Sequence, residues 1–132
     1  MKRLAIAFLI LNTLLCAAER KRKPKPRPAE IEVIELNVHR ASKLVVIEGH
    51  VKNIGERIAE EIVVEFEFLD ADGQVMARKD GPVEEEVLEP GAEGRIRFET
   101  VDPVRAVRVA LSSCRSRSGG LRFQDKNIHY IQ

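Results

Sequence analysis

The stretch EIVVEFEFLDADG, residues 61–73, decides the fold. Apolar and acidic residues alternate along it, so that Val64, Phe66 and Phe68 point to one side and the intervening glutamates to the other. A period of two is typical of a strand with one buried face. The Asp72-Gly73 pair favours chain reversal, so a second short strand is expected to pair back. We predict that this hairpin lies at the centre of a small β-sandwich.

The length and the charge distribution indicate one folded domain behind a basic leading segment. The chain has 132 residues and a formal charge of +1. Residues 1–28 contain eight Lys and Arg and one acid, a balance of +7, which leaves −6 for the remainder. A domain of about 100 residues can bury a core without metals or disulfides. This uneven distribution of charge bears on which partners the protein binds rather than on how it folds.

The N-terminus has the layout of a secretory signal peptide. A positive start, an apolar run over residues 4–15 and small residues up to Ala18 follow one another. We therefore predict a signal peptide at residues 1–18, cleaved after Ala18, and an exported protein that is periplasmic or extracellular.

Two alternatives to cleavage remain open. The apolar run is shorter than the about 20 residues of a membrane span, and the basic residues behind it oppose translocation, which disfavours an uncleaved anchor. In a lipoprotein, Cys16 would be acylated, but Leu15 stands where a small residue is usual.

Residues 19–29 are predicted to form a disordered linker, because alternating prolines and crowded positive charges oppose helix and strand. The linker is either a solvated spacer or an electrostatic tether to anionic lipid head groups, wall polymers or nucleic acid. Without interleaved aromatic residues, sequence-specific nucleic-acid recognition is not expected. The candidate residues for an anionic partner are Arg20, Lys21, Arg22, Lys23, Lys25 and Arg27.

Residues 30–132 are predicted to form an all-β, immunoglobulin-like antiparallel sandwich of seven or eight short strands, preceded by a signal-peptide helix and the linker. Turn signals recur roughly every 8–12 residues, as such sandwiches require. Residues 57–61 are expected to be a short connector or a helical turn, and residues 121–123 and 128–131 to supply a closing strand. The predicted core positions of the flanking strands are Ile34, Leu36, Val38, Val45, Ile47, Gly49, Val51, Ile96, Phe98, Val107, Val109 and Leu111. A glycine within a strand, as at Gly49, indicates a bulge or a close backbone approach.

Three motifs occur in order: GHVKNIG at residues 49–55, VEFEFLDADG at residues 64–73 and LEPG at residues 88–91. This order resembles the FxLYD-type immunoglobulin-like domains of exported bacterial and archaeal proteins, over about residues 30–111. Phe68-Leu69-Asp70 stands where that family has Leu-Tyr-Asp. The resemblance implies an extracytoplasmic module of mostly unassigned role, and it supplies no catalytic residues.

The histidines are not spaced as metal ligands. His39, His50 and His129 are expected at the surface, and neither Cys-x-x-Cys nor His-x-His spacing occurs. We predict no cofactor, no metal site and no small-molecule substrate.

Cys114 is the only cysteine that would remain after cleavage at Ala18. It is either an inert thiol, an intermolecular disulfide partner or, least favoured, a nucleophile. The arginines beside it cannot act as a general base.

These observations predict a non-enzymatic exported module for protein or cell-envelope interaction, most simply with another envelope or secreted protein. Its expected contact surfaces are sheet edges, through strand addition, and the Arg/Ser loop at residues 115–118. One alternative is a membrane-anchored or lipid-anchored envelope protein whose basic segment binds anionic polymers or lipids. Others are a salt-sensitive envelope-stress or wall-polymer sensor, and an enzyme using Cys114 or a carboxylate pair.

Overall fold

The computed structural model describes residues 24–117, 119 and 121–132. The predicted signal peptide, Ala18 and the basic residues from Arg20 to Lys23 lie outside this part of the chain. The described residues contain no helix, and so none long and apolar enough to cross a membrane. Their ten strands are β1 (Glu30–Ala41), β2 (Leu44–Asn53), β3 (Ala59–Glu60), β4 (Val63–Leu69), β5 (Val75–Pro82), β6 (Val87–Leu88), β7 (Glu93–Val101), β8 (Arg108–Arg115), β9 (Arg122–Gln124) and β10 (His129–Tyr130).

The strands form two four-stranded sheets in a sandwich-like arrangement, with a small additional ladder. The first sheet has the order β7-β2-β1-β9 and the second the order β10-β8-β4-β5, while β3 pairs with β6. Neighbouring strands are antiparallel except β1 and β9, which are parallel. The predicted all-β fold is therefore confirmed. The strands number ten rather than seven or eight because three of them have only two residues.

The predicted central hairpin is confirmed. Val64, Phe66 and Phe68 are fully buried, and β4 lies between β8 and β5 in the second sheet. The turn into β5 is held by Asp70, whose carboxylate accepts the backbone N–H groups of Asp72 and Gln74, each at 2.9 Å. The alternation of the sequence thus places the aromatic side chains between the two sheets.

The first strand departs from prediction at Ile34, which is 44% exposed. The pairing of β1 with β2 shifts between Val33 and Glu35, so a bulge inserts one residue into the alternation. Val33 on one side of the bulge and Val38 on the other are both buried. The bulge therefore lets Val33 and Val38 both face the core, although the odd spacing between them would place them on opposite faces of a regular strand.

The second strand follows its prediction. Val45, Ile47 and Val51 are fully buried. A Cβ atom on Gly49 would lie 2.3 Å from the backbone oxygen of Glu35, which confirms the close approach expected from a glycine within a strand.

One other sequence-based expectation is wrong, and a second is met only in part. Val107 is 40% exposed, because it lies just before β8 in the loop between the sheets, where its N–H donates to the Leu69 carbonyl. Residues 57–61 connect β2 to β4 as expected, but they form no helical turn, because Ala59 and Glu60 pair with Leu88 and Val87 instead.

The C-terminal segment divides between the two sheets instead of forming one closing strand. β9 pairs with β1 in the first sheet, and β10 pairs with β8 in the second. The chain then returns to the first sheet, where the Gln132 N–H donates to the Val38 carbonyl at 3.0 Å and the Arg40 N–H donates to the Gln132 carbonyl at 2.9 Å. The last described residues therefore join the two layers.

Candidate functional site

The point where the linker enters the domain is organised by one buried amide, Asn53. Its side-chain oxygen accepts the N–H groups of Gly55 at 3.0 Å and Glu30 at 3.4 Å. Its side-chain nitrogen donates to the carbonyls of Arg57 at 2.8 Å and Leu88 at 3.0 Å. Asn53 is fully buried, so all four hydrogen-bonding positions of its amide are satisfied within the protein. It ties the start of β1 to the two loops that follow β2 and β6.

The end of the predicted linker is part of this arrangement. Ala29 is buried in the core, and a Cβ atom on Gly55 would lie 2.2 Å from the Pro28 carbonyl oxygen. Arg27 binds the Glu56 carboxylate through its backbone N–H at 2.7 Å and its side-chain Nε at 3.1 Å. These bonds from Arg27 hold the pKa of Glu56 below its ordinary value. Lys25 is exposed.

Acidic side chains are frequent in two loops of this half of the domain. They project from the loop after β2 and from the loop between β5 and β7, which the β3-β6 ladder and Asn53 hold side by side. We call them the acidic rim: Glu56, Glu60, Glu61, Glu84, Glu85, Glu86 and Glu89.

Several carboxylates of the acidic rim already have partners. Glu60 and Glu61 bind Arg117 at 2.7 and 3.1 Å, and Glu85 accepts the backbone N–H of Arg95 at 2.7 Å. Glu84, Glu86 and Glu89 are exposed, and Glu86 acts on the Arg117 guanidinium together with Glu60 and Glu61. The rim therefore keeps an excess of negative charge beside the exit of a positive segment.

The Arg/Ser loop, predicted as a contact surface, is engaged within the domain. Arg115 binds Asp80 at 3.0 Å, and Arg117 binds the rim. The neighbouring carboxylates raise the pKa of both guanidinium groups. Ser116 exchanges hydrogen bonds with the backbone of Glu60. These arginines are therefore less available to an anionic partner than their sequence suggested.

Several exposed apolar side chains lie toward the opposite end of the sandwich. β1 runs from the linker exit to this end over 12 residues, or about 35 Å. Val101 and Val104 are 73% and 83% exposed. The strand ends converge here, since Leu44 pairs with Val101 and the Val107 N–H donates to the Leu69 carbonyl. We call this group the apolar end: Leu44, Val75, Met76, Val101, Val104, Val107 and Tyr130.

A shallow polar groove of about 240 Å³ lies on the outer face of the first sheet. It is lined by Arg95 and Arg97 and by the acids Glu48 and Glu84, with His50 across from Arg95. Arg97 and Glu48 approach to 3.8 Å. Positive and negative side chains balance in this groove, which gives it no preference for one sign of ligand charge.

The histidines lie apart from one another. His39 and His50 lie at non-buried positions of the first sheet, as predicted, whereas His129 is only 5% exposed, so its predicted surface position is wrong. Its Nε2 lies 2.7 Å from the Asp125 carboxylate, and this partner makes its burial tolerable. Within the described residues, no group of three or more His, Cys, Asp or Glu side chains is placed to hold a metal ion.

Cys114 lies on β8 opposite Val64 and packs against the core. Burial raises the pKa of its thiol from 9.0 to about 12. At neutral pH the thiol therefore stays protonated, which disfavours both nucleophilic attack and disulfide exchange.

Comparison with solved structures finds IrmA from Escherichia coli, which aligns with a TM-score of 0.55 at 12% sequence identity, over 76% of this chain and 92% of that chain. At this identity the likeness concerns the fold alone. The structural-genomics target SoR45 aligns over 79% of each chain at 18% identity. Its TM-score of 0.41 is too low to indicate a shared fold. No protein-family model and no curated protein matches the chain. The described residues thus form an all-β sandwich that shares its fold with IrmA.

Proposed function

We propose that this protein is an exported, non-enzymatic interaction module, an immunoglobulin-like sandwich of the FxLYD type that binds another protein of the cell envelope or the extracellular space. The observation that carries the proposal is the apolar end. Seven of the eleven large apolar side chains that are exposed lie toward this end of the sandwich, and two of them, Leu44 and Val101, are paired neighbours. Single exposed apolar side chains are ordinary on protein surfaces, whereas a group of them is typical of a binding surface.

The position of the apolar end supports this role. It lies about 35 Å from the linker exit along β1. A domain held at the envelope by its N-terminal segment would therefore present Val101 and Val104 outward. The linker would set the distance from the point of attachment.

The proposal is tested by binding to an envelope extract. The variant Val101→Asp/Val104→Asp places charges in the apolar end at side chains that are already mostly exposed, so folding is preserved. The matched control, Ile58→Asp/Val87→Asp, alters two exposed apolar residues outside that end. We expect proteins that crosslink to the wild type to be lost with the first variant and kept with the control. Equal capture by both variants would contradict the proposal.

A second function is favoured by the exposed cation Lys25 and the basic residues before it. In this form the protein stays anchored by its apolar N-terminal run or by lipid on Cys16, and the segment binds anionic lipids or wall polymers. Such binding weakens steeply with salt, because it depends on charge. Mass spectrometry of the exported protein distinguishes cleavage after Ala18 from acylation of Cys16.

A further inference from the structure

The edge strand β7 turns part of its backbone away from the sheet. The Arg95 N–H donates to the Glu85 carboxylate at 2.7 Å, and the Arg95 carbonyl accepts the Glu84 N–H at 2.8 Å. Both backbone groups of Arg95 therefore point away from β2. Successive residues of an antiparallel strand turn these groups alternately toward one neighbour and the other. Three further residues of β7 thus share the orientation of Arg95, namely Arg97, Glu99 and Val101.

We call these three residues the open edge of β7. The preceding part of the strand is covered, since Val83 bridges to Ile96 beside Arg95. Within the described part of the chain, no hydrogen bond reaches the outward N–H and carbonyl groups of the open edge. Its three residues are all exposed, so another strand can approach these groups from solvent. From the first residue to the last, the open edge spans about 14 Å.

The other edge strands are less suited to pairing. β9 has three residues and β10 has two. β5 has eight, but Pro82 has no N–H to offer, and Lys79 lies opposite the buried Phe66, on the face turned toward the other sheet. A proline and an inward charge both protect an edge against strand addition. The open edge has neither, because its inward residues are Phe98 and Thr100.

The side chains of the open edge define the chemistry of a strand that would fit it. Arg97, Glu99 and Val101 present a positive, a negative and an apolar group in order on the outer face of the sheet. Arg97 approaches Glu48 to 3.8 Å, and Glu99 forms no ion pair among the described residues. Opposite charges on directly paired residues stabilise neighbouring strands, and like charges destabilise them. A complementary strand therefore carries an acid beside Arg97, a base beside Glu99 and an apolar residue beside Val101.

We propose that the open edge binds an extended segment of the partner protein, which adds to the first sheet antiparallel to β7. The backbone hydrogen bonds supply affinity, and the order of acid, base and apolar residue supplies specificity. The inference deepens the proposed function and rests on it, because Val101 belongs both to the open edge and to the apolar end. One partner then contacts both surfaces.

The probe for the test is the peptide Val-Thr-Lys-Val-Glu, with blocked termini and a fluorescent label. In antiparallel register it places Val beside Val101, Lys beside Glu99 and Glu beside Arg97. The control peptide, Val-Thr-Glu-Val-Lys, exchanges only the two charges. We expect the purified protein to bind the probe about tenfold more tightly than the control, because two attractive pairs replace two repulsive ones. The variant Arg97→Glu/Glu99→Arg should reverse this preference. Equal affinity for the two peptides, or no binding of either, would overturn the proposal.

Hydrogen exchange of single amides locates the contact. In the free protein, the outward N–H groups of Arg97, Glu99 and Val101 should exchange readily, whereas those of Phe98 and Thr100 face β2 and should be protected. The probe should protect the first three. Protection confined to another strand would contradict binding at the open edge.

A proline variant separates strand addition from the proposed function. Glu99→Pro removes an outward N–H without breaking a bond to β2, and it should abolish binding of the probe. Asp80→Pro is the matched control, because the N–H of Asp80 on β5 also faces away from its neighbour strand. It should bind the probe like the wild type. In the extract experiment, loss of crosslinking with Val101→Asp/Val104→Asp but not with Glu99→Pro would refute strand addition and leave the proposed function standing. If Glu99→Pro does not fold, the reversed preference of Arg97→Glu/Glu99→Arg still decides the proposal.

Discussion

The ring of Phe66 in β4 stacks on the ring of Phe98 in β7, with the ring centroids 5.7 Å apart and the planes inclined by 10°. The two strands belong to different sheets, so this pair fills the space between the layers. Gly81 of β5 lies against both rings. A Cβ atom on Gly81 would lie 2.9 Å from Cε2 of Phe66 and 3.2 Å from Cγ of Phe98.

Replacing Gly81 by Ala should therefore destabilise the protein. The added methyl group would push two packed rings apart, at a cost of about 1–3 kcal/mol in the free energy of unfolding. Chemical denaturation measures this difference. Ser113→Thr adds one methyl group at a half-buried position and should change stability by less than about 0.5 kcal/mol. If Gly81→Ala unfolds at the wild-type denaturant concentration, the rings do not pack as described.

Asn53→Ala should lower the free energy of unfolding more than Gly81→Ala does. The substitution removes four hydrogen bonds and leaves the N–H groups of Glu30 and Gly55 and two backbone carbonyls without their partner. Buried polar groups without partners are expensive, so we expect a loss of about 2–4 kcal/mol in the free energy of unfolding. Asn37→Ala is the control, because Asn37 is exposed and binds only Glu35. Similar denaturation midpoints for the two variants would refute the central role of Asn53.

Cys114 should resist alkylation in the folded protein at neutral pH. Its thiol has a pKa raised from 9.0 to about 12, and the thiolate is the reactive form. The labelling rate with iodoacetamide should rise steeply only near pH 12, whereas the denatured protein should react readily at pH 9. Rapid labelling of the native protein at pH 8 would show that the thiol is accessible and ionised.

The same shift predicts how stability depends on pH. Between pH 9.0 and about 12 the unfolded chain loses the Cys114 proton while the folded protein keeps it. The folded state then binds more protons than the unfolded one, so its stability from this group falls as the pH rises through that interval. Cys114→Ala should lessen this decline, as measured by thermal unfolding at a series of pH values. An unchanged decline in the variant would assign it to other groups.

Deleting Ile131 and Gln132 should also destabilise the sandwich. Their backbones make three hydrogen bonds, one to Val107 beside β8 and two to β1 in the other sheet. We expect a loss of about 2–3 kcal/mol from these bonds and from the packing of Ile131 against the core. Gln132→Ala keeps the backbone and should unfold like the wild type. Equal stability of the truncated and full-length chains would contradict the joining of the layers.

The sequence predicted the central strand well because its signal is local. Val64, Phe66 and Phe68 alternate with acids without interruption, and a regular alternation allows only one buried face. The first strand was harder because Val33 and Ile34 are adjacent apolar residues, so two alternations compete. The bulge that resolves them depends on the neighbouring strand, where Gly49 leaves room for the Glu35 carbonyl.

The features around the linker were less predictable because they depend on contacts between distant residues. Arg117 looked like an available cation in a flexible loop, yet its partners are Glu60 and Glu61, more than 50 positions earlier. His129 was expected at the surface because histidine is polar, but it is buried beside Asp125, a partner that the sequence alone does not identify. The motif at residues 49–55 did indicate a structural turn, but only the structure assigns its asparagine to the linker exit.

The backbone bonds of Gln132 have a practical consequence for fusion proteins. A reporter or affinity tag joined after Gln132 would emerge beside Arg40, whose side chain binds Asp102 in the loop that carries Val104. Such a fusion would disturb the hydrogen bonds of Gln132 to Val38 and Arg40, and it would lie close to the apolar end. Fusion proteins meant to capture partners should carry their reporter on the linker side, where the chain departs from the other end of the domain.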